Sequence, residues 1–220
     1  MVEYLRSLKP VILVRHGQST SNVDPQVGGW QDPELTPLGK RQAEAIATRL
    51  TKLLDGREVV IYSSHLRRAR ETAEPICRAL NCEAVIEEGL QEYQTNLDPK
   101  LSRPEAEQYS NPRTKPARHW RTYQDAESLG ELYHRAGEAL SRIIEKHNEI
   151  IVIVSHGWLI DKMIAWWIDM PVDNITPNMF TTGNASLSVL SITDYGERVL
   201  MKLNDTSHLV HHGEQDSFLD

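Results

Sequence analysis

Cysteine is nearly missing: Cys77 and Cys82 are the only two in 220 residues. Two thiols with no matching histidine pair exclude a disulfide framework and a zinc finger, and reduced thiols fit an expected cytoplasmic location. Long hydrophobic runs are absent too. Glu3, Arg6 and Lys9 interrupt the amino-terminal stretch, and Asp161, Lys162 and Asp169 break the apolar segment 158–170, so neither a signal peptide nor a membrane span is expected. A surplus of positive charge is the third absence. With 24 Lys and Arg against 31 Asp and Glu, the formal net charge of -7 argues against nucleic acid or an acidic membrane as a partner. Any anion site must then be a local cluster, which suits a small ligand. Internal repeats and low-complexity tracts are lacking as well, and a 40% hydrophobic chain of this length can bury one sizeable core. The expectation is one domain over 1–220, with a homodimer left open.

What is present is an alternation of strands and helices. Val11, Ile12, Leu13 and Val14 read as a buried strand. Thr36 and Pro37 supply an N-cap and an N1 proline for a helix whose Ala43, Ile46, Ala47, Leu50, Leu53 and Leu54 repeat at helical spacing until Asp55-Gly56 stops it. A second strand is expected over 58–62. Ser63 and Ser64 are then expected to cap a helix with the stripe Leu66, Ala69, Ala73, Ile76 and Leu80, kinked at Pro75. After a third strand over 84–87 the composition changes. Residues 94–124 are polar and carry Pro99, Pro104, Pro112 and Pro116, which reads as an insertion outside the core. Asp125 is the expected cap of a long helix through Leu129, Leu132, Ala136, Leu140, Ile143 and Ile144. A strand over 150–154, a buried helix over 158–168 and two late strands, 186–193 and 198–203, around the turn Asp194-Tyr195-Gly196 complete the pattern.

Two of these strands end alike, in Arg15-His16-Gly17 and in Ser155-His156-Gly157. Open α/β sheets place ligands at the carboxyl ends of strands. The first ending offers a charge clamp, a nitrogen nucleophile and, at Gly17, room for close backbone approach, a loop suited to phosphate. Parallel neighbouring strands would bring His16 and His156 together. His212-Gly213 is the control: no strand precedes it, and it lies in a polar tail with His208 and His211, where a divalent ion is the competing reading. Taken singly, each strand-end histidine is equally well explained as a capped loop or a satisfied core residue.

The segments Leu13-Val14-Arg15-His16-Gly17-Gln18-Ser19-Thr20-Ser21-Asn22, Leu35-Thr36-Pro37-Leu38-Gly39 with Gln42-Ala43, Ser64-His65-Leu66-Arg67-Arg68-Ala69-Arg70-Glu71-Thr72-Ala73 and Val154-Ser155-His156-Gly157 follow one another in this order. Together they resemble the histidine phosphatase superfamily, the phosphoglycerate-mutase-like group. The resemblance implies a three-layer α/β/α sandwich with a mostly parallel central sheet, a phosphohistidine intermediate on His16, and a reaction that uses no metal or organic cofactor. Ser19 and Ser21 stand where the two-domain acid phosphatase branch continues with arginine and proline.

Chemistry supports those roles. Neutral imidazole is a competent nucleophile at neutral pH, so His16 can attack phosphorus in line with the ester oxygen. The transferring group spreads charge over three oxygens, and its transfer is eased mainly by rigid, well-placed donors. Arg15 and Arg68 offer planar forks, His156 a ring N–H, and Asn22 and the backbone at Gly17 neutral hydrogen bonds. Ser19 and Gly157 complete the expected phosphate-binding set. Among Arg67, Arg68 and Arg70 the motif register selects Arg68, directly before Ala69 and four residues before Thr72, and leaves its neighbours to solvent. Glu83, Glu87, Glu88 and Glu92 all lie near the third strand, and the family pattern Leu-x-Glu, here Leu90-Gln91-Glu92, selects Glu92 as proton donor. An acid at neutral pH needs burial or a nearby phosphate charge to keep its proton.

The chain departs from the mutase pattern directly after Glu92. Tyr93-Gln94-Thr95-Asn96 stands where cofactor-dependent phosphoglycerate mutases carry Arg-His-Tyr-Gly. A mutase must exclude water, whereas a phosphatase admits it. The expected function is therefore a phosphomonoesterase acting on a small phosphorylated metabolite, with a phosphoglycerate mutase and a catalytically silent phospho-ligand binding module as alternatives. Lys100, Arg103, Arg113, Lys115, Arg118 and Arg121, with Tyr109, Trp120 and Tyr123, make the 94–124 insertion either a basic lid over the substrate or a solvated loop with one short helix. The motifs leave the group attached to the phosphate unnamed.

Overall fold

The computed structural model describes residues 10–175 and 179–209. Glu3, Arg6, Lys9, His211, His212 and Gly213 lie outside them. Among the described residues six strands, β1 (Val11–Arg15), β2 (Val59–Ser63), β3 (Ala84–Ile86), β4 (Ile150–Ser155), β5 (Leu187–Ile192) and β6 (Arg198–Asp205), form one sheet in the order β3-β2-β4-β1-β5-β6. The first four run parallel; β5 lies antiparallel to β1, and β6 to β5. The β5–β6 turn closes where the Gly196 N–H donates to the Thr193 carbonyl at 2.9 Å, with Gly196 at φ 83.

Among the described residues six helices accompany the sheet: α1 (Thr20–Val23), α2 (Pro37–Leu54), α3 (Arg67–Leu80), α4 (Arg103–Glu107), α5 (Leu129–Lys146) and α6 (Gly157–Trp167). Strand side chains alternate faces, and that alternation makes the layers. Val11 and Leu13, with Ile151 and Ile153, pack among residues of α5 and α6; Ile12 and Val14, with Val152 and Val154, pack against α2 and α3. Strands covered on both faces read as unbroken apolar runs, which is how β1 and β4 appear in the sequence. Among the described residues no helix is long and apolar enough to cross a membrane.

Helix ends follow local chemistry, with two corrections. The Thr36 hydroxyl accepts from the Gly39 N–H at 3.0 Å ahead of Pro37, and Asp55, at φ 49, ends α2 as expected. The cap of α5, however, is Ser128, not Asp125: Ser128 Oγ accepts from the Glu131 N–H at 3.2 Å while Glu131 Oε2 accepts from the Ser128 N–H at 2.7 Å. That reciprocal pair satisfies two orphan amides, which a lone aspartate three residues upstream cannot do. Nor do Ser63 and Ser64 cap α3. Leu66 holds the cap position without a side-chain bond, Ser63 ends β2, and Ser64 is turned to the site described below. α3 continues through Pro75 to Leu80.

The insertion is more ordered than its composition suggests. Trp120 packs with Leu129 and Tyr133, and Tyr123 with Ala106 and Ala126, so two of its aromatics are buried against the domain. The expectation of a segment outside the core fails there because paired aromatic rings bury apolar area that a polar average conceals.

Candidate active site

Strand register brings the functional residues together. Arg15 pairs with Ser155, and Ser63 with Val154, so β1, β4 and β2 end at one level. The His16 N–H donates to the Ser155 carbonyl at 2.9 Å and the Ser64 N–H to the Val154 carbonyl at 3.1 Å. His16, His156 and Ser64 therefore stand side by side. The two imidazole centroids are 5.1 Å apart.

His16 is 3% exposed, and its Nδ1 lies 2.7 Å from the Gly17 carbonyl oxygen. A carbonyl only accepts, so Nδ1 carries the ring proton and Nε2 presents its lone pair. Nε2 accepts from Arg68 Nε at 3.2 Å. Burial, followed by the charges of Arg68 and Arg15, holds the His16 pKa well below the ordinary imidazole value, with the Gly17 bond opposing. The ring is thus neutral at neutral pH.

His156 is fully buried behind it. Its Nε2 lies 2.9 Å from Ser64 Oγ, which also accepts from the Leu66 N–H at 3.2 Å. Either the serine hydroxyl or the ring nitrogen can be the donor across this contact. Nδ1 is buried and has no hydrogen-bond partner among the described residues. An unsatisfied buried polar atom costs about 1–3 kcal/mol. Burial first, then Arg68, His16 and Arg15, holds this imidazole well below its ordinary pKa too.

Arg68, 2% exposed on the first turn of α3, also donates through Nη1 to the Gly29 carbonyl at 3.2 Å. Its neighbours differ. Arg67 is exposed but not simply solvated: it pairs with Glu34 and Glu71. Arg70 is exposed. Arg15 donates to the Thr182 carbonyl, which ties it to the loop before β5.

A cleft of about 660 Å³ opens over these groups, its wall including Arg15, His16, Asn22, Arg68 and Glu92. Asn22 Oδ1 accepts from the Ser19 N–H at 2.9 Å, Ser19 Oγ at 2.9 Å and Asn184 Nδ2 at 3.3 Å, which leaves the Asn22 amide NH2 as what it can offer a ligand. Glu92 caps the amino end of α6, where Oε2 faces the Trp158 N–H and Oε1 the Leu159 N–H, both at 3.3 Å.

Four residues expected to bind phosphate, His156, Gly17, Ser19 and Gly157, do not line the cleft wall, and His156 lies buried behind His16. Gly17 donates its N–H to Thr72 Oγ1 at 3.0 Å, and a Cβ there would lie 2.5 Å from the Gly39 carbonyl oxygen, so its small size serves contact with α2, not ligand entry. Ser19 is the cap of α1 and is fully buried. Gly157 sits against Arg15, with ordinary contact distance, 3.4 Å, from a Cβ to Arg15 Nε. The Leu35–Gly39 and Gln42 motif also acts through the loop: the Gln18 N–H donates to Gln42 Oε1 at 2.8 Å and the Thr36 N–H to the Gln18 carbonyl at 2.9 Å.

Sequence reasoning missed Ser64, Thr182 and Asn184. Asn184 Nδ2 donates to the His16 carbonyl at 3.2 Å, and the Ala185 N–H donates to the same oxygen at 3.1 Å. No local pattern marks Thr182 and Asn184, which only the β1–β5 pairing brings in, and Ser64, though part of the motif before α3, meets His156 only through the pairing of β2 with β4. Among the described residues no group of three or more His, Cys, Asp or Glu side chains gathers as a metal site. His208 lies 2.9 Å through Nε2 from the Ala185 carbonyl oxygen.

Comparison with known proteins agrees with this geometry. The chain is 32% identical over 204 residues to phosphoserine phosphatase 1 of Hydrogenobacter thermophilus, covering 90% of this chain and 93% of that protein. It is also 32% identical to phosphoglycerate mutase-like protein 4 of Arabidopsis thaliana, covering 95% and 89% respectively. The crystal structure of phosphoserine phosphatase from Entamoeba histolytica in complex with 3-phosphoglyceric acid superposes with a TM-score of 0.74 at 27% identity, over 91% of this chain and 98% of that one. The model of the histidine phosphatase superfamily (branch 1) matches residues 11–206, and the chain belongs to that family.

Proposed function

We propose that His16 carries a phosphoryl group between substrate and water. The chain is a phosphatase of small phosphorylated metabolites. One observation carries the assignment of its nucleophile: an unprotonated His16 Nε2, held by a fixed Nδ1–H bond, flanked by Arg68 and facing the cleft. The arriving phosphate takes Arg68 off Nε2. A bond forms from Nε2 to phosphorus as the bond to the ester oxygen breaks, and Glu92 gives that oxygen its proton. Arg15, Arg68 and the Asn22 amide meet the charge on the three remaining oxygens, with His156 packed behind His16. Water then attacks phosphorus, Glu92 takes its proton, the P–N bond breaks, and inorganic phosphate leaves.

Hydrolysis is favoured over transfer by the wall beyond Glu92. Tyr93, Gln94, Thr95 and Asn96 all line the cleft and are uncharged, where retention of a second phosphate calls for cations, and Arg103, which lines it too, has its Nη2 engaged by backbone carbonyls. We read the insertion as a partial cover on one domain: Arg103 Nη2 donates to the carbonyls of Ser21 at 2.6 Å and Val27 at 2.7 Å, which fastens its helix across the cleft mouth. Both cysteines are free, which suits the cytoplasm. The test is to follow phosphate release and phosphoryl migration on 3-phosphoglycerate with and without 2,3-bisphosphoglycerate. Phosphate release without migration is expected; efficient migration with little release would make the chain a mutase.

A further inference from the structure

We propose that Arg135, paired with Glu127, is the positioning residue that holds Glu92 where it can reach the leaving oxygen. The inference rests on the reading of Glu92 as proton donor. Glu92 follows a short 3-10 turn, Glu88–Leu90, on a stretch without regular structure, so its backbone needs partners from elsewhere. Arg135 on α5 supplies them. Its Nη1 donates to the carbonyls of Gly89 at 2.9 Å and Gln91 at 2.8 Å, and its Nη2 to the Glu92 carbonyl at 3.2 Å. The guanidinium is itself fixed by Glu127, through Nε to Oε2 at 3.1 Å and Nη2 to Oε1 at 2.5 Å.

Glu127 grips the other side of the same stretch. Its Oε1 accepts from the Gln94 N–H at 2.7 Å, its N–H donates to the Gln94 carbonyl at 2.9 Å, and its carbonyl accepts from the Tyr93 hydroxyl at 2.6 Å. The backbone is thus held at 89, 91, 92 and 94 by one ion pair whose side chains are 18% and 8% exposed. A rigid fork aimed at three carbonyls is more than the pair needs for its own stability, and lysine, with a single nitrogen, cannot reproduce it. Arg135 touches no reacting atom; it acts through Glu92.

A proton donor matters most when the leaving oxygen is basic, so the test compares an alkyl phosphate monoester with p-nitrophenyl phosphate, whose phenolate leaves readily without a proton. The full chain would be assayed as Arg135→Lys, Glu127→Gln and Glu92→Gln, with folding checked by thermal melting. For folded Arg135→Lys, kcat/KM on the alkyl ester, which covers the transfer to His16 and not the later water step common to both esters, is expected to fall about 100-fold, with kcat/KM on the aryl ester within a few-fold of wild type. Glu92→Gln is expected to show the same selective loss. Equal losses on both esters, or none, would overturn the positioning role. Should Arg135→Lys fail to fold, Glu127→Gln decides by the same criterion, with a selective loss of about tenfold expected. A selective loss in Glu92→Gln beside an unselective one in the clamp variants overturns this inference alone, whereas an unselective Glu92→Gln overturns both it and the reading of Glu92.

Discussion

Burial deprives His16 of its charge and leaves its Nε2 lone pair free for the nucleophilic role we propose. In water an imidazole is partly protonated near pH 6.5. Here burial, Arg68 and Arg15 together keep the proton off Nε2. The acid limb of kcat/KM, which reports the free enzyme, is therefore expected below the ordinary histidine range, and a pH–rate profile with an acid limb at about 6.5 would contradict this. Stability should respond with a definite sign. His16 and His156 bind a proton more weakly folded than unfolded, so their contribution is fully present above the unfolded pKa and is lost as pH falls below it. Each can contribute up to about 1.4 kcal/mol per pH unit of acidification below about 6.5. Denaturant titrations at pH 7, 6 and 5 should show that decline, and a smaller one in His156→Gln. Arg68→Ala, which removes a donor from the developing charge, is expected to cost about 100-fold or more in kcat/KM with little change in melting temperature between pH 7 and 8.

At the scale of elements, the catalytic loop is fitted to the amino end of α2 by paired glycines. A Cβ on Gly39 would lie 2.0 Å from the Gln18 carbonyl oxygen, closer even than the Gly17 contact. Gly17→Ala must push backbone against backbone, and a loss of about 3 kcal/mol or more in stability is expected, together with most of the activity. Gly157→Ala meets only ordinary contacts and should stay within about 1 kcal/mol of wild type; chemical denaturation of the two variants checks the contrast. The sequence showed a glycine in the motif but not what approached it, because the approaching backbone belongs to a helix 22 residues later. Caps were legible in principle. Ser128 and Glu131 form a readable Ser-x-x-Glu box, and Asp125 competes with it only by standing first after the insertion. Ser64 was visible as a serine before a helix, yet its partner, His156, is reached only through the pairing of β2 with β4.

The whole molecule shows why much of the site could be read and the rest could not. Arg15, His16, Arg68, Glu92 and His156 sit beside strand or helix ends in ordered motifs, so each stands out in the sequence. Thr182, Asn184, Glu127 and Arg135 belong to no such motif, and each acts through a backbone carbonyl or amide that only the completed fold presents. The insertion illustrates the same limit at larger scale. Its basic residues suggested a cover for the cleft, whereas its attachment depends on Arg103 reaching two carbonyls of the 21–27 loop. Arg103→Ala is accordingly expected to speed amide hydrogen exchange across 97–110 and raise KM more than it lowers kcat; unchanged exchange would mean that the attachment contributes nothing. The central claim is the covalent intermediate. Rapid quenching of the enzyme with a phosphomonoester labelled in its phosphate, followed by denaturation, should leave acid-labile, base-stable label on the wild-type chain and none on His16→Ala. Equal labelling of both proteins, or label that survives acid, would contradict a phosphohistidine at His16.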